Sequence, residues 1–319
     1  MDVLSEVLRV VRLEGALFFH GEFSAPWCLD TQPASLASHL SLKAGHLILY
    51  HFLTEGRAYA KLPGGKREEL SAGDIVVFPH GNAHHLGNGS AKPIDSLKTF
   101  AQHLSQGLKL VRFGGGGEIT KFVCGFMSCD PRLANVFLSG LPPILKVRVI
   151  NDPSDQWLER SIRFSVDEAN EATAGAELVR AKLAELLFVE TLRRYVNELP
   201  AGETGWLAGA RDSAVGHALA LLHKDPARQW TISRLAREVG LSRSGLAERF
   251  RHFLGDSPMA YLAQWRLKLG AEILDSSNDS IAEVAAAVGY GSEASFNRAF
   301  KREFNSPPAQ FRRQRRNAP

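Results

Sequence analysis

The spacing of apolar residues changes along the chain and divides it into two kinds of structure. Between residues 15 and 127, short apolar runs alternate with turn clusters such as Pro63-Gly64-Gly65 and Ala72-Gly73-Asp74. Several short strands separated in this way are typical of a β-sandwich or β-barrel. Residues 2–12, and most of the chain after residue 153, instead have apolar residues at intervals of three and four, which predicts helices.

One helical pattern occurs twice near the C-terminus, at 231–253 and 280–304. Each copy has a hydroxyl residue suited to cap a helix, a short amphipathic stretch, a glycine, and a second capped helix. This order predicts two helix-turn-helix motifs. The first copy contains Thr231, Leu235, Gly240, Ser242, Leu246 and Phe250, and the second, 49 or 50 residues later, contains Ser280, Val284, Gly289, Ser292, Phe296 and Phe300.

A helix is predicted between the two copies, from Pro258 to about Asp275, with Ser257 as its cap. Eighteen helical residues span about 27 Å. A helix of this length could hold two recognition helices roughly 34 Å apart, which is one turn of DNA. Its predicted apolar stripe consists of Leu262, Trp265, Leu269 and Ile273.

At these residues the chain resembles the DNA-binding domain of the AraC/XylS family of bacterial transcription regulators. The similar segments are WTISRLAREVGLSRSGLAERF, SPMAYLAQWRLKLGAEIL, SIAEVAAAVGYGSEASFNRAFKREF and SPPAQFRR. The resemblance implies base contacts from the start of each second helix. The predicted DNA-binding residues are Arg243, Ser244, Ala247, Glu248 and Arg251 in the first copy, and Glu293, Ala294, Asn297, Arg298 and Lys301 in the second.

Net charge agrees with this prediction. From Asp212 onward the chain has 16 basic and 11 acidic residues, a net of +5, whereas the preceding residues have 22 basic and 23 acidic, a net of −1. Positive charge in the predicted DNA-binding part is the electrostatic pattern expected of a protein that binds phosphates. No apolar run approaches 18 residues and the N-terminus does not resemble a secretory signal, so we expect a cytoplasmic protein without a membrane span.

The first half of the chain contains a second, more specific pattern. Gly73-x5-Pro79-x-Gly81-x2-His84-x3-Asn88 matches the second signature of the cupin superfamily, and Gly45-x5-His51 begins the first. This resemblance implies a jelly-roll barrel. Cupin enzymes bind a metal through three His and one Glu, but Leu53 replaces one of these histidines. His51 and His84 are therefore the only metal-ligand candidates, and two imidazoles are too few for a complete site.

A cupin-type barrel placed before a double helix-turn-helix resembles one branch of the AraC/XylS regulators. Some members of that branch sense oxidants through cysteine, and others are thought to bind small molecules. The chain has three cysteines: Cys28 in a segment predicted to be turn-like, and Cys124 and Cys129 near a strand end. They are the candidate redox residues, although free cysteine is more often an inert, buried apolar residue.

The sequence therefore predicts an α+β protein with a cupin-like sensory domain (1–150), a helical connector (151–211) and an all-α DNA-binding domain (212–319). Helices at 157–170 and 176–198 are predicted to form the connector and a homodimer interface, followed by a linker at 200–205 and 209–210. The predicted function is transcription activation at double-stranded promoter DNA, with RNA polymerase as a partner and a small molecule or oxidation as the signal. No catalytic residue or cofactor is assigned. The alternative is a metal-dependent cupin enzyme fused to a DNA-binding module.

Overall fold

Two compact units make up the chain in the computed structural model. The model describes residues 3–11, 13–39, 46–104, 108–149, 157, 160, 161, 164, 174–200 and 202–316. One unit, which we call the barrel unit, contains Arg12–Glu198. The other, which we call the helical unit, combines Met1–Val11 with Leu199–Pro319.

The barrel unit consists of two β-sheets. The first has six strands in the order β11-β6-β3-β10-β1-β9, and the second has five in the order β5-β4-β7-β2-β8. Neighbouring strands are antiparallel except β1 with β9 and β2 with β8. The strands are β1 (Glu14–Ser24), β2 (Trp27–Thr31), β3 (His46–Glu55), β4 (Arg57–Lys61), β5 (Glu68–Ser71), β6 (Asp74–Phe78), β7 (His84–Asn88), β8 (Ile94–Asp95), β9 (Leu110–Gly114), β10 (Ile119–Cys129) and β11 (Leu145–Arg148).

An apolar core lies between the sheets. It contains Phe19, Phe23 and Phe122 from the first sheet and Trp27 and Leu86 from the second. Alternating residues of β1 are buried, as expected for a strand with one face on a core. The described helices of the unit are α2 (Pro33–His39), α3 (Ser96–Leu104), α4 (Pro131–Leu138) and α5 (Ala176–Glu198).

Helix α5 has the bounds that the apolar spacing predicts, and it packs against β1, β10 and β11. The predicted helix at 157–170 lies mostly outside the described residues. Strand β3 is buried along most of its length because its inner face meets the core and its outer face meets α5. The hydroxyl of Tyr50 on this outer face donates a hydrogen bond of 3.3 Å to the carbonyl oxygen of Ala184 in α5.

The helical unit contains nine described helices. They are α1 (Val3–Val11), α6 (Trp206–Arg211), α7 (Ser213–Lys224), α8 (Ile232–Glu238), α9 (Arg243–Leu254), α10 (Pro258–Ser276), α11 (Ile281–Ala287), α12 (Glu293–Phe304) and α13 (Pro308–Arg316). Within the described ranges, every helix is too short or too polar to serve as a membrane span.

Helix α1 belongs to the helical unit although about 190 residues separate it from the rest of that unit. It packs against α7, and Val3, Val7 and Val11 are buried. A spacing of four places these three side chains on one face of the helix. The helix itself was predicted from this spacing, whereas its partner could not be.

Two local predictions were wrong. Cys28 lies in strand β2 rather than in a turn, and it is buried there. Gly209 and Ala210 belong to helix α6 rather than to a linker. This helix is fixed by burial of Trp206, whose indole nitrogen donates to the hydroxyl of Tyr261 at 2.8 Å. A Cβ atom at Gly209 would lie only 3.2 Å from Cβ of Phe253, so the glycine permits close packing here.

Candidate nucleic-acid interface and barrel pocket

Both predicted helix-turn-helix motifs are present, as α8–α9 and α11–α12. Thr231 caps α8 by accepting from the backbone N–H of Arg234. Ser280 and Glu283 form a capping box at the start of α11, as the sequence predicts. Gly240 and Gly289 end the first helices with φ angles of 70° and 84°, a backbone conformation that favours glycine.

The second helix of each motif has one buried and one open face. Ser242 and Ser292 cap α9 and α12 by accepting from backbone N–H groups of the first turn. The buried face of α9 carries Leu246 and Phe250, and that of α12 carries Phe296 and Phe300. Each pair has the spacing of four that holds a helix against a core. The opposite face of each helix therefore faces solvent.

The predicted DNA-binding residues lie on these open faces. The exposed ones are Arg243, Ser244, Glu248, Arg251, Glu293, Ala294, Arg298 and Lys301, whereas Ala247 and Asn297 are half-buried. No ion pair joins Arg243, Arg251 or Arg298 to another described residue, so each guanidinium is available to an external anion. Arg249 differs, because it forms a 2.8 Å ion pair with Asp212, the N-cap of α7.

The two motifs are held together by contacts that the repeat alone does not reveal. Arg266 of helix α10 donates to the carbonyl oxygens of Pro226 and Arg228, at 2.7 and 2.9 Å. Gln229, from the same segment, donates to the carbonyl oxygen of Gly289 at 3.3 Å. The segment before the first motif is thus bonded both to the connecting helix and to the turn of the second motif.

Helix α10 has the predicted position and a more extensive core than predicted. Leu262 and Trp265 are buried, while Leu269 and Ile273 are half-buried against the core around α11 and α12. On the side of α7, His223 Nε2 lies 2.7 Å from the hydroxyl of Tyr261. Burial lowers the pKa of His223 to about 3, so its imidazole is neutral at physiological pH.

In the barrel unit, the two cupin-type histidines come together with one cysteine. His51 Nε2 and His84 Nε2 are 2.8 Å apart, and His51 Nδ1 is 2.8 Å from Cys124 Sγ. Burial lowers the pKa of His84 to about 4, and burial together with the neighbouring His84 lowers the pKa of His51. Both imidazoles are therefore neutral.

The donor and the acceptor of each hydrogen bond in this cluster can be assigned by starting from the carbonyl oxygen of Asn82. The carbonyl oxygen of Asn82 lies 2.9 Å from His84 Nδ1 and can only accept, so His84 Nδ1 carries a proton. In a neutral ring His84 Nε2 must then accept from His51 Nε2, and His51 Nδ1 must accept from the thiol of Cys124. Burial raises the pKa of Cys124, which agrees with a protonated sulfur.

This cluster does not fit the metal that cupin enzymes bind. Both nitrogens of His51 are used in hydrogen bonds, and Leu53 is buried in the apolar core. His85 is adjacent in sequence but points to the other face of β7, where its Nε2 lies 3.6 Å from Asp30. Among the described residues, no group of three or more His, Cys, Asp or Glu side chains is placed to hold a metal ion.

The other two cysteines are also buried. Cys28 lies beside Tyr59, whose pKa is raised to about 12, mainly by burial. Burial and the nearby carboxylate of Asp130 raise the pKa of Cys129 to about 12. All three predicted redox candidates are therefore buried, whereas a sensor thiol is typically exposed, and the pKa values of Cys124 and Cys129 are raised rather than lowered.

A small cavity lies between the His51–Cys124 pair and two short helices, and it could not be predicted from the sequence. Its volume is about 30 Å³, which is room for roughly two water molecules. The apolar lining residues are Phe18, Phe19, Leu29, Leu36, Phe100 and Leu104. The polar ones are Thr31, His51, Ser96 and Cys124.

Comparison with known proteins covers both units. Residues 2–197 match a family model described as a cupin, and residues 235–314 match one described as a helix-turn-helix domain. A putative AraC-like transcription regulator of Streptomyces lividans is 33% identical over 315 residues, which are 98% of each chain. The RCS-specific HTH-type transcriptional activator RclR of Escherichia coli is 26% identical over 98% of this chain and 97% of the relative.

One similar solved structure contains DNA. The DNA-binding domain of AdpA, in complex with a target DNA, is 28% identical and has a TM-score of 0.32. The match covers 33% of this chain and 94% of that domain.

Proposed function

The chain belongs to the AraC-like family of DNA-binding transcription regulators, and we propose that it is an activator whose barrel unit receives the signal. Its two helix-turn-helix motifs, with the segment before the first bonded to the connecting helix and to the turn of the second, are the observation that supports this most directly. Binding to chromosomal DNA would place the protein in the cytoplasm. RNA polymerase would be its partner at the promoter.

For DNA contact, we propose the open faces of α9 and α12. Arg298 is exposed in the middle of α12, and a guanidinium can bind O6 and N7 of guanine together. Asn297 can pair in the same way with adenine, although its amide now lies 3.5 Å from the carboxylate of Glu293. On α9, Ala247 suits a thymine methyl group and Glu248 suits the amino group of cytosine.

The remaining predicted contacts are proposed to bind phosphate or to support the base contacts. Arg243, Arg251 and Lys301 are exposed cations beside these positions. Cations beside recognition helices position a protein on the duplex without specifying sequence. Ser244, Glu293 and Ala294 lie on the same open faces and complete the proposed surface.

We further propose that, of residues 1–150, those after α1 sense the signal, that 151–211 transmit it as a homodimer interface, and that 212–319 bind DNA. Helix α5 supports the dimer, because Leu178, Val179 and Leu186 are exposed on it. Apolar side chains that protrude from a helix in this way are typical of a subunit interface. Sedimentation of the protein and of a Leu178→Glu, Leu186→Glu variant tests this: only the unmodified chain should sediment as a dimer.

We propose no catalytic activity, because the cupin-type histidines form a closed hydrogen-bond chain with Cys124. Metal analysis of the purified protein provides the test. About one equivalent of bound iron, zinc or manganese would favour the cupin enzyme instead.

Selection of bound fragments from the source genome tests the main proposal. At physiological salt the full chain should enrich a small set of promoter fragments that share two sequence elements about one helical turn apart, one for each motif. Equal retention of all fragments would contradict sequence-specific regulation. Transcription from an enriched promoter should then rise, rather than fall, when the protein is added.

A further inference from the structure

The cavity in the barrel unit has a wall without charged side chains, and most of its polar groups are hydrogen-bonded to one another. None of its lining residues is Lys, Arg, Asp or Glu. His51 uses both ring nitrogens within the cluster, and Cys124 is bonded to one of them. The hydroxyls of Thr31 and Ser96 are paired with each other at 3.4 Å.

This lining excludes several classes of ligand. A carboxylate or an ammonium group would lose its hydration without gaining a partner, which is strongly unfavourable. A sugar would bury several hydroxyls against phenyl rings and leucines. An uncharged apolar molecule meets neither penalty, and three aromatic rings, those of Phe18, Phe19 and Phe100, can pack against a ring of its own.

The part of the cavity wall that must shift to admit a larger molecule consists of two short helices. Leu36 belongs to the seven-residue α2, and Phe100 and Leu104 belong to the nine-residue α3. The present volume is well below the roughly 150 Å³ of an apolar cavity that binds benzene. A one-ring molecule therefore requires these side chains to shift outward, whereas the strands on the opposite wall are paired on both sides.

We propose that this cavity is the closed form of a binding site for a small uncharged arene. The inference rests on the proposed sensory function of the barrel unit and names its ligand class.

The strands behind the site lead to the connector helix. His51 and Cys124 face the cavity. Their neighbours Tyr50 in β3 and Gly125 in β10 face the opposite side of the sheet. On that outer face, Tyr50 packs over Gly125, where an added Cβ would lie 2.2 Å from the tyrosine ring, and bonds to Ala184 of α5. A ligand that changes the packing of the His51 side chain therefore acts next to Tyr50, which is hydrogen-bonded to α5.

The test equilibrates the full-length protein with toluene, with benzoate, which has the same ring and carries a charge, or with L-arabinose, an uncharged sugar that is followed by equilibrium dialysis. Bound ligand is measured by gas chromatography for toluene and by equilibrium dialysis for benzoate. We expect about one equivalent of toluene per chain and no retained benzoate or L-arabinose. Retention of benzoate or arabinose in place of toluene would overturn the proposed class.

Two variants locate the site. Leu36→Phe fills the cavity and should weaken toluene binding by roughly ten-fold or more. Leu62→Phe makes the same change at a half-buried residue of the same core that does not line the cavity, and should bind toluene like the unmodified chain. Equal affinity of both variants would overturn the location. Should Leu36→Phe fail to fold, Ser96→Leu fills the same space from α3.

Binding to a selected promoter fragment, measured in parallel, separates this inference from the proposed function. Intact promoter binding without toluene retention contradicts the ligand class alone, whereas loss of promoter preference contradicts the regulator. Toluene should change promoter affinity, and Tyr50→Phe should reduce that change without reducing toluene retention. A response to hydrogen peroxide that Cys124→Ser abolishes, with no response to toluene, would favour an oxidant and overturn the inference.

Discussion

The side-chain amide of Gln229 donates a hydrogen bond to the carbonyl oxygen of Gly289, 60 residues further along the chain, at 3.3 Å. Gln229 precedes the first helix-turn-helix motif, and Gly289 is the turn residue of the second. The bond therefore joins the segment that leads into the first motif to the turn of the second, in addition to the helix that connects the motifs. Their relative orientation is fixed by tertiary contacts as well as by the length of α10.

Replacing Gly289 with alanine should destabilise the helical unit more than the same change at Gly240. Both glycines have positive φ, which costs an alanine about 1 kcal/mol. A Cβ at Gly289 would in addition lie 2.7 Å from the backbone of Ala227, whereas one at Gly240 meets nothing within 4 Å. We expect about 3 kcal/mol or more for Gly289→Ala and about 1 kcal/mol for Gly240→Ala in urea unfolding. Equal losses would show that the Ala227 contact yields freely.

Arg298→Ala should lower affinity for a selected promoter fragment by about 1–3 kcal/mol and leave binding to random DNA nearly unchanged. Arg298 is exposed, lies in the middle of α12, and is one of the residues that we propose to contact a base. Lys301→Ala, one helical turn away along α12, is the control and should weaken both kinds of DNA binding alike, as a phosphate contact does. Fluorescence anisotropy with both DNAs measures the difference. If Arg298→Ala also weakens both equally, Arg298 contacts phosphate.

Acid should weaken the barrel unit through His84. Its pKa is about 4 in the folded chain and 6.5 in the unfolded chain, so between these values the unfolded state binds more protons. The free energy of unfolding is therefore full above pH 6.5, falls as the pH decreases, and should be about 2 kcal/mol lower at pH 5.0 than at pH 7.5 from this group. Hydrogen exchange of β3 and β7 in urea measures it. In the His84→Asn variant the free energy of unfolding should fall less between pH 7.5 and pH 5.0. An equal fall in this variant would exclude His84 as the cause.

All three cysteines should resist alkylation in the folded protein. Cys28, Cys124 and Cys129 are buried, and burial raises the pKa of the last two. Intact mass after treatment with N-ethylmaleimide at pH 7.5 should show no adduct in buffer and three in urea. Rapid modification of one cysteine in buffer would restore it as a redox candidate, and the triple serine variant would then show whether promoter binding depends on it.

Helix α1 should stabilise the helical unit. Val7→Asp buries a charge against α7 and should lower the free energy of unfolding of that unit by about 3 kcal/mol. Arg9→Gln, on the exposed side of the same helix, is the control and should change it by less than about 0.5 kcal/mol. Hydrogen exchange of α7 peptides reports the effect. Equal protection in both variants would mean that α1 does not stabilise α7.

The sequence predicted best the features that depend on neighbouring residues. The caps Thr231, Ser242, Ser280 and Ser292, the turn glycines, and helix α10 all depend on residues within one or two turns, so a local pattern was sufficient. Five barrel strands, β1, β3, β4, β6 and β10, were predicted from short apolar runs between turn clusters, whereas the other six were not. In β2 a tryptophan, a cysteine and a leucine in succession are all buried, so the strand shows no alternation.

Contacts between distant residues could not be predicted in this way. The bond from His51 to Cys124 depends on the register between β3 and β10, 73 residues apart, and the sequence gives no signal for that register. The cupin signatures indicated that His51 and His84 lie close together, but not that a thiol would occupy the remaining nitrogen. The partner of α1 likewise depends on the tertiary fold alone.

Because the helical unit begins with α1 and resumes at residue 199, the barrel unit is an insertion within it. Chimeras that exchange sensory modules between regulators of this kind therefore need two junctions, one near residue 12 and one near residue 198. A graft made only at the second junction would leave the recipient helices without the valine-faced segment that covers α7. Such chimeras should lose solubility before they lose the ability to recognise a promoter.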